Sequence, residues 1–374
     1  MDNKISKKQF FTLTASFFMG NSLALTGGLS KNEKIGYITI FVSFILYIGL
    51  CFSYNRLFKI YGSSDLFFIS KNILGKICYK ILLALVLVYS LFTAIISSVE
   101  FLFFIELSSD FSAKPILTAL LFSVCILSIL LCDKKALARY SELILPFVLL
   151  SIAVILFFGL DKINISNLKI EAIPKASYIF SNTLMNFISP FSNILLIYFF
   201  ASDMFNKQQI NRASIKAGFV SLIVIASIYV MNLLIIGKNL MSSLYFPALY
   251  TFSVINPSLF TERSETVFYV TYIFFDILYT AVAYFTATEC FEKLFFKKNT
   301  SSPKRKKIFF LIASILSFIV MNLKIDITAF YSSFTGIPYI IAAVTLGIPL
   351  ILTLISLFKR PSHVQPSNNN CHRK

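Results

Sequence analysis

The chain has 374 residues, of which 57% are hydrophobic, 16% aromatic and only 14% charged. Soluble domains carry about a quarter charged residues, so this composition excludes an ordinary soluble globule and predicts an all-α polytopic membrane protein. A formal charge of +17 would suggest a nucleic-acid partner in a soluble chain, but here the basic residues fall in short loops between apolar runs. That distribution is a topology signal for a bilayer and leaves no place for nucleic acid.

Ten apolar stretches follow in chain order: Gln9–Leu29, Ile35–Leu57, Ile81–Ile105, Pro115–Cys132, Leu143–Leu160, Tyr178–Ala201, Ala217–Ile236, Ser264–Cys290, Ile308–Met321 and Ser333–Phe358. They predict ten transmembrane helices forming one domain over residues 1–358. The polar, proline-containing tail, 359–374, reads as a disordered segment. The first stretch has a short basic leader but continues past the length of a cleavable signal, so it reads as a retained helix.

An even number of crossings puts both termini on one side. The terminal segments and the loops on that side carry 25 of the 34 lysines and arginines, leaving 9 opposite. The positive-inside rule then makes both termini cytoplasmic, with the Lys297–Lys307 loop as the strongest anchor. Lys59–Lys80 alternates apolar and basic residues and reads as a short interfacial helix. The long loops on the opposite side, Asp161–Ser177 and Gly237–Glu262, contain Pro174, Pro247 and Pro257 as breakers; either is a connector or the cap of a vestibule.

Two of the helices contain breakers at depth. The first has Gly20, Asn21 and Ser22 in mid-span and Gly27 and Gly28 near its far end; the sixth has Ser189, Pro190, Ser192 and Asn193. Proline removes a backbone donor and clashes with the preceding turn. Such residues either serve close helix packing or leave non-helical backbone that only a protein or water-filled cavity can satisfy. Stretches one and six hold corresponding places in two halves of a ten-span chain, and paired interruptions of that kind point to a binding site at the membrane midplane.

Two acids are also buried in apolar runs. The eighth stretch belongs to a long helix, Glu262–Phe296, whose polar residues Tyr269, Tyr272, Asp276 and Thr280 recur at helical spacing. Asp276 in its centre costs several kcal/mol unless it faces a cavity or a partner, so it marks either a satisfied bundle contact or the lining of a polar pocket. The third stretch carries a similar stripe of Tyr89, Thr93, Ser97 and Glu100, with Glu106 at its boundary. A desolvated carboxylate is the group expected to exchange a proton near neutral pH, so Glu100 and Asp276 are the coupling candidates.

Other chemistries find little support. Cys51, Cys78, Cys125, Cys132, Cys290 and Cys371 form no CxxC pair and read as small hydrophobic residues, with no metal and no disulfide expected. The two histidines, His363 and His372, lie in the tail, and no HExxH, GxSxG, GxGxxG or P-loop occurs, so neither an enzyme nor a cofactor site is expected.

The opening ISKKQFFTLTASFFMGNSL resembles the start of the spore germination permease family, the B subunits of nutrient germinant receptors. Also similar are the Tyr245–Phe246–Pro247 loop followed by FTERSETVFYVTYIFFD, with Arg263 and Glu265 opening the eighth helix, the NILGK at Asn72–Lys76, and the Ala138, Arg139, Glu142 stretch. The resemblance implies the fold of the amino acid, polyamine and organocation transporter superfamily, a five-plus-five inverted repeat with unwound helices 1 and 6. It further implies a multi-pass subunit in the spore inner membrane or cell membrane. Such a subunit binds a small germinant, an amino acid above all, and works with an A-type membrane subunit and a C-type lipoprotein.

Under that reading the germinant meets Gly20–Ser22 and Ser189–Asn193, with Thr93, Ser97, Tyr272, Asp276 and Thr280 lining the pocket. The rival reading is a proton- or sodium-coupled amino-acid permease. Where the family has Pro-Phe-Gly-Glu in helix six, this chain has Pro190, Phe191, Ser192 and Asn193, which removes one candidate acid. The family's tryptophan in helix eight is also absent, with Tyr272 or Phe274 near its place.

Overall fold

The computed structural model describes residues 5–20, 22–25, 36–63, 65–108, 114–168, 176–188, 190–200, 210–255, 265–296, 303–323, 325–333 and 337–358. The tail 359–374, Asn21, Gly27, Gly28, Ser189 and Arg263 lie outside them. The elements are α1 (Lys7–Gly20), α2 (Ser22–Leu25), α3 (Gly36–Tyr61), α4 (Leu66–Ser108), α5 (Pro115–Leu131), α6 (Lys134–Phe158), α7 (Ala176–Ile188), α8 (Ile194–Phe200), α9 (Ile210–Ser243), α10 (Pro247–Val254), α11 (Glu265–Phe295), α12 (Pro303–Met321), α13 (Ile327–Ser333) and α14 (Ile337–Phe358). Two short 3₁₀ turns follow α6.

Among the described residues six helices, within α3, α4, α6, α9, α11 and α14, are long and apolar enough to cross a membrane. The other predicted spans fall on shorter or divided helices: α1 with α2, α5, α7 with α8, and α12. α4 is two helices in one. Gly75 has φ of +76°, a conformation open to glycine, and it turns the interfacial piece that begins at Leu66 into the span that follows. Gly237, with φ of +74°, does the same near the end of α9, so that Lys238–Ser243 leaves the line of the span.

Helix contacts repeat when each span is replaced by the one five places on. α1 packs on α9 as α7 packs on α3, α1 on α6 as α7 on α14, and α11 on α5 as α4 on α12. The pairs α4 with α11, α5 with α12 and α3 with α9 map onto themselves. In the predicted ten-span arrangement equivalent helices lie five spans apart, the spacing of an inverted repeat.

Ion pairs identify one face of the bundle. Lys8 pairs with Glu142 at 2.7 Å, Lys134 with Glu289, and Lys306 with Glu292 at 3.4 Å, while Lys293 sits 3.4 Å over the Phe67 ring. These contacts gather the starts of α1, α4, α6 and α12 and the end of α11. The outer surfaces of α3, α5, α6 and α12 are lined with exposed residues such as Phe52, Leu121, Leu143 and Ile312, as expected of helices facing lipid.

The core where the two halves meet is aromatic. Phe18 on α1, Tyr47 on α3 and Phe191 after α7 form a triangle of rings with centroids 5.2 to 5.9 Å apart. Tyr47 also donates its hydroxyl to the Ser214 carbonyl of α9 at 2.7 Å. Gly218 lets α9 approach this ring, since a Cβ there would stand 2.3 Å from it. Gly218→Ala should therefore destabilise the fold by about 1–3 kcal/mol through overpacking, read as a lower melting temperature of the detergent-purified protein.

Candidate functional site

The sixth span breaks where the proline predicts. α7 ends at Ile188, and Pro190–Asn193 form a turn before α8 resumes. Phe187 O accepts from both Phe191 N at 3.0 Å and Ser192 N at 2.9 Å, and Leu196 N reaches Asn193 O at 3.0 Å. Much of the backbone freed by Pro190 is thus satisfied inside the turn. Asn193, at its end, points to two other helices: the Tyr89 hydroxyl of α4 donates to Oδ1, and Nδ2 donates to the Tyr279 hydroxyl of α11 at 2.8 Å.

The same two helices meet again further along. Ser97 of α4 donates to Asp276 Oδ1 of α11 at 2.5 Å, and its Oγ lies 2.8 Å from Thr280 Oγ1. A hydroxyl has one proton, so Ser97, having given its own to Asp276, accepts from Thr280. The chain Thr280, Ser97, Asp276 ends at Asp276 Oδ2, which is buried and has no hydrogen-bond partner among the described residues. Asp276, Ser97 and Thr280 are each 0% exposed.

α1 closes a third side. Gly20 packs so tightly on α11 that a Cβ would lie 2.7 Å from Tyr279 Cβ and 3.0 Å from Phe275 O, and the Phe17 ring stacks on Tyr279 at 4.7 Å. Gly20 and the Pro190–Asn193 turn therefore both meet α11 at Tyr279, next to Thr280 in the chain. Asn21 and Ser189, which the midplane-site reading also names, lie outside the described residues.

The remaining expected residues have other duties in this conformation. Ser22 Oγ donates to Phe18 O at 2.8 Å, Thr93 Oγ1 to Tyr89 O at 2.8 Å and Ser192 Oγ to Ile188 O at 2.7 Å, each returning to its own helix or turn. Pro190 is buried in the turn. Tyr272 is buried with its ring 4.0 Å from Phe104. Glu100 is buried on the α4 face between Ser97 and Phe104, both of which touch α11, so both acids belong to one helix seam. Tyr279 was not anticipated as a site residue, although it stands three residues from Asp276 and so shares its side of the helix.

A family model described as spore germination protein matches residues 4–328. The chain belongs to the spore germination protein family. Curated proteins yield no match. Among solved structures, the spore germination chain is similar to MHP1, a nucleobase-cation-symport-1 family transporter in a closed conformation with bromovinylhydantoin bound. The TM-score is 0.66 at 9% identity, over 94% of this chain and 78% of that one. It is also similar to MhsT in complex with L-phenylalanine, with a TM-score of 0.62 at 15% identity over 93% of this chain and 88% of that one. A third is a Na⁺-coupled sialic acid symporter in a substrate-bound outward-open state, with 0.60 at 10% identity over 93% and 79%. These likenesses establish a transporter fold.

Where other spore germination proteins are expected to carry an acid in helix six, Asn193 brings a different ability. Its amide accepts from Tyr89 and donates to Tyr279 at once, whereas an ionised carboxylate only accepts. Asn193→Leu removes the amide that joins two buried tyrosine hydroxyls and should cost about 1–3 kcal/mol. The expected readout is a lower melting temperature, with Tyr89→Phe in the Asn193→Leu background adding less than Tyr89→Phe does alone.

Proposed function

We propose that this chain is the membrane-embedded subunit of a spore nutrient receptor and that it binds a small germinant, an amino acid, between α1, the Pro190–Asn193 turn, α4 and α11. The observation carrying this reading is Asp276 Oδ2, an acceptor buried in the bundle and without a described hydrogen-bond partner. An ammonium group satisfies such an oxygen with both charge and a hydrogen bond, at the place where the two halves of the repeat meet. Support for a zwitterion comes from the neighbouring turn, where a carboxylate can exchange with the hydroxyls of Tyr89 and Tyr279 for the Asn193 amide.

Signalling then needs no transport. A ligand that binds one arrangement of α1 and the Pro190–Asn193 turn better than another shifts the population toward it. Residues at the seam already link four helices, so a change in their pairing moves helices that reach both faces. An A-type membrane subunit and a C-type lipoprotein are the proposed receivers, in the spore inner membrane with both termini cytoplasmic.

A second reading, a proton- or sodium-coupled amino-acid permease, draws support from the Thr280, Ser97, Asp276 chain, whose open end suits a cation as well as an amine. Labelled amino acid accumulating in vesicles that contain this chain alone favours the permease; a germination defect with vegetative uptake intact favours the receptor.

Asp276→Asn removes the charge and leaves the shape. In spores it should raise the half-maximal germinant concentration about 10- to 100-fold, the worth of one charged hydrogen bond, at unchanged protein level. Superimposable dose–response curves for the variant and the wild type would assign Asp276 a structural role.

A further inference from the structure

On the face marked by the ion pairs, α5 ends, α6 and α12 begin and α11 closes, and between them lies a cleft of about 270 Å³. Its wall carries four lysines, Lys134, Lys135, Lys306 and Lys307, against two carboxylates, Asp133 and Glu289. Lys134 pairs with Glu289 and lies 4.7 Å over the Phe200 ring, and Lys306 pairs with Glu292. Lys307 is exposed. Asp133 stands at the N-cap of α6, and α12 starts at Pro303 on the same cleft with no acid in its first turn, so the positive end of the α12 dipole adds to the lysine charge.

The rest of the wall is apolar. Leu130, Leu131, Phe285 and Phe310 line it, and the adjoining surfaces of α5 and α12 continue outward through Leu131, Val124, Ile308, Leu311 and Ile312, all exposed where the bundle meets lipid. A site for a soluble anion has no use for such a surface. A lysine-rich cleft at the end of the spans, next to exposed apolar faces of α5 and α12, matches the polarity of a phospholipid, head in the cleft and chains along the helices.

We propose that this cleft binds the phosphodiester headgroup of an anionic membrane lipid, with Lys135 and Lys307 as its outer contacts and Lys134 and Lys306 as its braced inner ones. The ligand ties the α5–α6 junction to α12 through a group that belongs to the bilayer. This binding is independent of the amine site at Asp276.

The test uses the purified full-length chain in neutral detergent, titrated separately with dioctanoyl-phosphatidylglycerol, dioctanoyl-phosphatidylcholine and inorganic phosphate while the melting temperature is followed. The expected result is a saturable stabilisation by phosphatidylglycerol alone. Each lysine near a membrane surface contributes about fivefold in affinity, so Lys135→Ala with Lys307→Ala should weaken the phosphatidylglycerol midpoint about 25-fold, and the paired arginine variant should restore it. Equal stabilisation by phosphatidylcholine, an equal effect of phosphate alone, or an unchanged midpoint in the alanine variant would each overturn the proposal. The comparison of lipids on the wild-type chain stands even if the double variant fails to fold.

Discussion

A carboxylate held in the middle of a membrane bundle is the constraint around which this structure is arranged. Asp276 is fully buried, and the cost of keeping a charge there is several kcal/mol unless neighbours respond. Ser97 responds at Oδ1, backed by Thr280. The contact that supplies it, α4 against α11, is the most extensive between two helices among the described residues. Packing over that length holds the buried acid in place, while Gly20 and Asn193 both meet Tyr279, three residues along the same helix.

The inverted repeat explains why this meeting point lies where it does. The α4–α11 pair maps onto itself under the exchange of halves, so it stands at the centre of the symmetry, and the first and sixth spans approach it from opposite directions. Each brings an aromatic group: Phe17 stacks on Tyr279, while Phe18 and Phe191 share the ring cluster with Tyr47. Aromatic contacts of this kind are each worth about 0.5–1.5 kcal/mol beyond their buried area, and they fix a turn that the backbone alone would leave loose. Rings and an amide, rather than long helix, position the Pro190–Asn193 turn.

Much of this was legible in the chain before folding. The stretch Ser264–Cys290 became α11, Pro115–Cys132 became α5, and NILGK contains the glycine that bends α4. Helical spacing put Tyr89, Thr93, Ser97 and Glu100 on one stripe and Tyr269, Tyr272, Asp276 and Thr280 on another, and Ser97 of the first meets Asp276 and Thr280 of the second. It carried no information on which stripes meet, because Ser97 and Asp276 are 179 residues apart. Proline was the source of a different error: Pro247 was read as a loop breaker, yet it opens α10 at a first-turn position, where its missing N–H costs nothing. The same holds for Pro303, which starts α12 five residues ahead of the predicted boundary at Ile308. Asn193 was expected to offer its freed backbone to a ligand; the pairing of its side chain with two tyrosines depends on a turn geometry that no local pattern encodes.

The central claim is that Asp276 Oδ2, which has no hydrogen-bond partner among the described residues, receives an amine. The most direct measurement is the melting temperature of the purified chain in lipid nanodiscs with each of the twenty standard amino acids, and then with the des-amino acid matching whichever stabilises it. An amine-dependent site predicts that the amino acid stabilises the protein while its des-amino counterpart, identical in side chain and carboxylate, requires at least about tenfold higher concentration, as expected for the loss of one charged hydrogen bond. Equal stabilisation by the two compounds would contradict the account.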